Sequence, residues 1–137
     1  MININITVDS TETIGLLERL NEKNKNWKQE LIDIGSTLLR SFDLNFTEQG
    51  RPIKWVQSER AKKRGGMTLV DTGRLRSSST VIAYENNIFE VTEKTLNAGS
   101  DLEYAKYLQA DRPFIMLQEQ DYKEIENIMI KGIDEIL

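Results

Sequence analysis

From Trp27 onward the apolar residues Leu31, Ile34, Leu38, Phe42 and Phe46 recur at steps of three or four. That spacing stacks them along one face of an α-helix and leaves the other faces polar. A helix over Trp27–Phe46 presents a ribbon of large side chains roughly 30 Å long, which no stable fold leaves in water. The rest of the chain therefore has to cover it. Gly35 lies inside the ribbon and costs about 1 kcal/mol relative to alanine in a helix interior, which the periodicity outweighs.

Several segments are suited to that covering role. Ile2, Ile4, Ile6 and Val8 alternate with Asn3, Asn5 and Thr7, the period of two that gives a strand one apolar face. Asp9 and Glu12 resemble a capping box, followed by Ile14, Leu17 and Leu20 at helical spacing to Glu22, with a turn among Asn21, Asn24 and Asn26. Thr80–Glu85 and Ile88–Thr92 read as a hairpin around Asn86-Asn87, and Leu96–Gly99 as a third strand. Leu102–Gln109 suits a short helix, and Tyr122, Ile125, Met129, Ile133 and Ile136 an amphipathic C-terminal one. Between Thr47 and Thr68 periodicity lapses, and Gly50, Pro52, Gly65 and Gly66 punctuate a basic stretch expected to be a mobile loop. No regular βαβ alternation is present. The expectation is an α+β fold: a small antiparallel sheet with a β-hairpin, packed by N-terminal and C-terminal helices, with a long basic loop. At 137 residues it forms one domain over 1–137.

Composition narrows the chemistry. The chain has neither histidine nor cysteine, which removes the commonest general base, thiolate metal sites and every Ser-His or Cys-His nucleophile. No metal or cofactor is expected. No apolar run approaches the roughly 20 residues that span a bilayer, and the alternating start is unlike a signal peptide, so the reading is a soluble chain made in the cytoplasm. Charge is unevenly spread. Arg51–Arg76 holds eight basic residues against two acidic ones, a net +6; the whole chain is −4, so the remainder is −10.

Two motifs invite a functional reading. Asp71-Thr72-Gly73 follows Leu69-Val70 and is the triplet of aspartic proteases, in which two copies supply carboxylates that share a proton. Such proteases are almost wholly β, whereas helical stretches flank this triplet, and Arg74 and Arg76 would set fixed positive charges beside the pair. The bland reading is a cap by Asp71 or Thr72 and a glycine turn before a short helical turn carrying Leu75. The run Arg60, Lys62, Lys63 and Arg64 suits phosphate neutralisation, with Trp55 the nearby stacking aromatic, or else an acidic protein partner, or simply a solvated loop. Trp27, Trp55, Tyr104, Tyr107 and Phe114 are candidate anchors of an interface, although core packing is the commoner use.

Taken in order, these pieces resemble the phage virion morphogenesis, or tail-completion, family. The matching residues are Phe46, Gly50, Pro52 and Trp55; then Leu69, Asp71-Thr72-Gly73-Arg74-Leu75 and Ser77-Ser78; then Tyr104-Ala105, Gln109 and Arg112-Pro113-Phe114. They span about Phe46 to Leu117. The chain departs from the pattern at Leu108-Gln109-Ala110-Asp111, where a histidine before the glutamine and a glycine after it are more usual. The resemblance implies a structural role without catalytic residues: tail completion or head-tail joining, as a homo-oligomeric ring among tail or connector proteins around the DNA channel. It further implies assembly in the host bacterial cytoplasm, then residence in the virion. Non-specific DNA contact through the basic loop is compatible with it.

Overall fold

The computed structural model describes residues 2–8, 22–24 and 26–135. The expected helix from Asp9 lies, but for Glu22, outside them. In chain order the elements are β1 (Ile2–Thr7), α1 (Lys28–Thr47), α2 (Glu59–Arg64), α3 (Arg74–Thr80), β2 (Asn87–Val91), β3 (Thr95–Ser100), α4 (Ala105–Asp111) and α5 (Glu119–Asp134). The fold is α+β. Its sheet is antiparallel in the order β1-β3-β2, with Ile2 opposite Ser100 and Thr7 opposite Thr95 on one side of β3, and Asn87 opposite Ser100 on the other.

The α1 ribbon forms the core as its periodicity requires. Leu31, Ile34, Leu38, Phe42 and Phe46 are fully buried, against Leu96 and Ala98 of β3, Leu75 of α3, and Phe114. Each large side chain removed from water contributes about 1.5–3 kcal/mol. Gly35 has a packing reason to interrupt the ribbon: a Cβ there would stand 2.4 Å from the Phe89 ring of β2. The helix ends where Gly50, at φ +108°, returns its N–H to the Asn45 carbonyl at 2.8 Å.

Two expected elements are misplaced. The hairpin does not turn at Asn86-Asn87; β2 and β3 join through Thr92–Thr95, where the Thr92 hydroxyl accepts from the N–H groups of Lys94 and Thr95. Thr80–Glu85 is not a strand, because α3 runs on through Thr80. The Ser78 and Ser79 hydroxyls donate back to the Leu75 carbonyl and that of Thr80 to the Arg76 carbonyl, each within 2.9 Å, which holds these residues helical. The expected loop Thr47–Thr68 also contains α2. Ser58 caps it by accepting from Ala61 N–H, Glu59 and the Lys62–Arg64 run suit its two ends, and Gly65 at φ +77° stops it.

In α5 the buried stripe is rotated from the one expected. Asp121 and Gly132 face inward with Ile125, Ile128 and Met129, while Tyr122 and Ile133 are exposed. Asp121, which closes a capping box with Gln118, is turned inward by the Ser41 hydroxyl of α1. Asp121 accepts from the Gln118 N–H and from the Ser41 hydroxyl of α1. Arg51 extends this network. Its guanidinium donates to the Ser41 hydroxyl and carbonyl, both at 2.8 Å, and to Asn45 Oδ1 at 2.9 Å. Asn45 in turn donates to the carbonyls of Phe114 at 2.7 Å and Met116 at 3.1 Å. The Gln118 amide closes the circuit on the Arg51 carbonyl.

Asn45→Leu keeps the shape but leaves those two carbonyls and one guanidinium N–H unpaired in the interior. Each such group costs about 1–3 kcal/mol, so a loss of roughly 3 kcal/mol is expected in urea unfolding. An unchanged midpoint would refute the role assigned to this network.

Candidate functional site

Three separated stretches of the ordered motifs meet on one side of the molecule. The Phe46 ring meets Trp55 edge-on, with centroids 5.7 Å apart, and Phe114 at 5.6 Å. The Trp55 indole N–H donates to the Pro113 carbonyl at 3.1 Å, and Arg112 Nε to the Val56 carbonyl at 2.8 Å. Two glutamines act as surrogate backbone. Gln109 accepts from the N–H groups of Phe114 and Ile115 and donates to the Ile115 carbonyl; Gln49 accepts from Thr68 N–H and donates to its carbonyl. Trp55 and Phe114 are therefore packing residues first.

This convergence leaves two concave surfaces. One is an apolar groove of about 390 Å³ walled by Pro52, Trp55, Pro113 and Met116, with Ile53 and Val56 on its rim. Ile53 is 81% exposed and Val56 75%, the most exposed large aliphatic side chains among the described residues. No periodicity in the sequence marks either; the available signal is two aliphatics, three apart, beside Pro52 and Trp55 in a basic stretch.

The other is a groove of about 340 Å³ lined by the Asp71-Thr72-Gly73-Arg74-Leu75 segment together with Arg60, Tyr104 and Arg112. Ala105 is buried in the core beside it. Gly73, at φ +82°, occupies the N-cap position of α3, and no side chain caps that helix. The expected cap by Asp71 or Thr72 is thus replaced by glycine. The Thr72 hydroxyl only accepts from Arg74 N–H at 3.3 Å. Asp71 has a 70% exposed side chain, 3.8 Å from the Arg60 guanidinium. Among the described residues lining this groove it is the only carboxylate, and an aspartic dyad would require a second one.

The basic segment is divided by the fold. Arg51 points into the polar network, and Arg60 donates to the carbonyls of Met67 at 2.7 Å and Val70 at 3.1 Å. Arg76 pairs with Asp43 at 2.8 Å and donates to Thr47. Arg60, expected to contact a partner, is thus a clamp on its own loop. Lys62, Lys63 and Arg64 are exposed at the end of α2, where Lys62 has only Glu59 at 3.6 Å. Exposed pairs of that kind contribute at most about 1 kcal/mol. Lys54 is exposed too but donates to the Glu48 carbonyl at 2.6 Å and carboxylate at 3.3 Å, so within Arg51–Arg76 the cationic surface suited to phosphate or an acidic partner contracts to Lys62, Lys63, Arg64 and Arg74. Among the described residues there is no group of acidic or histidine side chains that could hold a metal, and no helix long and apolar enough to cross a membrane.

Arg60→Lys keeps the charge but loses the fork on two carbonyls. It should cost about 1–2 kcal/mol and speed amide exchange in residues 67–70. Neutralising Lys62, Lys63 and Arg64 together should change stability by no more than about 0.5 kcal/mol in thermal unfolding. The reverse ranking would overturn this division of the arginines.

Compared with known proteins, the chain matches no family model, no curated protein and no solved structure.

Proposed function

We propose that this chain is a structural assembly protein of a tailed bacteriophage or prophage, acting in tail completion or head-tail joining through protein–protein contacts. The supporting observation is that the residues resembling the tail-completion family, scattered from Phe46 to Phe114, pack into one unit. Rings of Phe46, Trp55 and Phe114, the Gln109 clamp and the Arg112 bond to Val56 account for that part of the pattern as construction. None of these contacts belongs to a catalytic arrangement.

In this reading the chain works as a homo-oligomeric ring in the virion, beside tail or head-tail connector proteins, after synthesis in the host bacterial cytoplasm. A closed ring needs a heterologous interface, two different patches meeting around a rotation. The Ile53–Val56 rim suits one such patch, since exposed aliphatics beside a concave apolar wall gain by losing water. The acidic remainder of the chain would repel DNA phosphate and let a duplex slide past, with Lys62, Lys63 and Arg64 limited to non-specific contact.

Particles assembled without the chain, viewed by electron microscopy, should show tailless heads beside complete free tails if it joins, or malformed tails if it acts earlier. Normal virions would overturn the assignment. Ile53→Asp with Val56→Asp should at least halve recovery of tail or connector proteins in affinity purification while leaving thermal unfolding within about 0.5 kcal/mol, because both side chains are already in water.

A further inference from the structure

The groove walled by Arg60, Arg74 and Arg112 has a feature that packing does not require: two of its guanidinium groups, those of Arg60 and Arg112, are held by one edge and open on the other. Arg60 is fixed through Nη2 by the Met67 and Val70 carbonyls, leaving Nη1 beside Asp71 at 3.8 Å. Arg112 is fixed through Nε by the Val56 carbonyl, and no bond from its terminal nitrogens to a described residue is present. Arg74 makes only a long 3.5 Å contact with Asn86. A guanidinium oriented in this way has already lost much of its rotamer freedom, so the ordering cost of gripping a carboxylate is reduced.

The same groove is lined by the apolar side chains of Leu69, Leu75 and Leu108 and by Tyr104. Leu69 holds φ at +64°, a strained conformation for a bulky residue, and its neighbours on both sides are pinned by Gln49 and Arg60. Strain maintained by two clamps, at a residue lining a concave surface, is a mark of a binding site. The net charge of the groove is +2, from three arginines against Asp71.

We propose that this groove takes an acidic peptide segment of a protein partner, a carboxylate side chain gripped by Arg112 and Arg74 with an adjacent apolar side chain on Leu69 and Leu108. A DNA duplex satisfies the charges but not the leucines, and its rigid convex backbone does not enter a recess of about 340 Å³. Asp71 competes with the incoming carboxylate for the same cations. The assembly role and this groove are separable: peptide binding is measured on the isolated chain, and its failure leaves the virion phenotype to be judged independently.

The test uses a fluorescein-labelled peptide of alternating glutamate and leucine, followed by fluorescence anisotropy. Arg74→Gln, at an exposed position with little structural duty, should weaken binding about fivefold, and Arg112→Lys should weaken it although the charge is retained. Asp71→Asn should strengthen it roughly two- to fivefold by removing the internal competitor. Loss of binding in Asp71→Asn, indifference to Arg74→Gln, absence of binding to the parent chain, or equal competition by duplex DNA would each overturn the proposal.

Discussion

A buried circuit of polar side chains, Asn45 and Ser41 on α1, Arg51 beyond it, and Asp121 with Gln118 at the start of α5, sets where everything on this side of the molecule can lie. Hydrophobic burial drives α1 against the sheet, but it is non-directional and would tolerate several placements of the segments that follow. The circuit does not. Asn45 requires two carbonyls, and only the chain at Phe114 and Met116 supplies them. Arg51 requires acceptors that α1 alone presents at the right spacing. A polar network of this kind is costly when incomplete, and that cost enforces a single arrangement.

From that arrangement the two grooves follow. Anchoring residues 112–116 against α1 brings Pro113 to the Trp55 indole and Arg112 to the Val56 carbonyl, which raises the Ile53–Val56 rim on one side of Arg112 and closes the arginine groove on the other. Arg112 lines the arginine groove, and its chain neighbours Asp111 and Pro113 line the apolar one.

Much of the fold is legible from periodicity. The α1 ribbon and the alternation in β1 are found where their patterns place them, because both are long enough for burial to outvote local preference. The misplaced hairpin fails for a local reason: Thr80–Tyr84 has the β-branched and aromatic content of a strand, yet hydroxyls back-bonded within α3 hold its first residue in a helix. Helix α2 carries a serine cap, an acidic start, a basic end and a glycine stop, but buries only Ala61 and so has no apolar stripe to announce it. The rotation of α5 was hidden because Asp121 is inward-facing only once Ser41 is opposite. For the candidate site, the motif residues are visible in sequence and their mutual contacts are not. Which arginines turn inward depends on where the fold leaves acceptors without donors, from Met67, seven positions from Arg60, to Asp43, 33 positions from Arg76.

The sheet carries one further implication. Its central strand is among the later parts of the chain, and its outer partner is among the earliest, since Ile2 lies opposite Ser100. At ribosomal speeds of about 5–20 residues per second, β1 waits roughly 5–20 s for its mate to emerge. During that interval an alternating ribbon of isoleucines is a ready template for a neighbouring nascent copy.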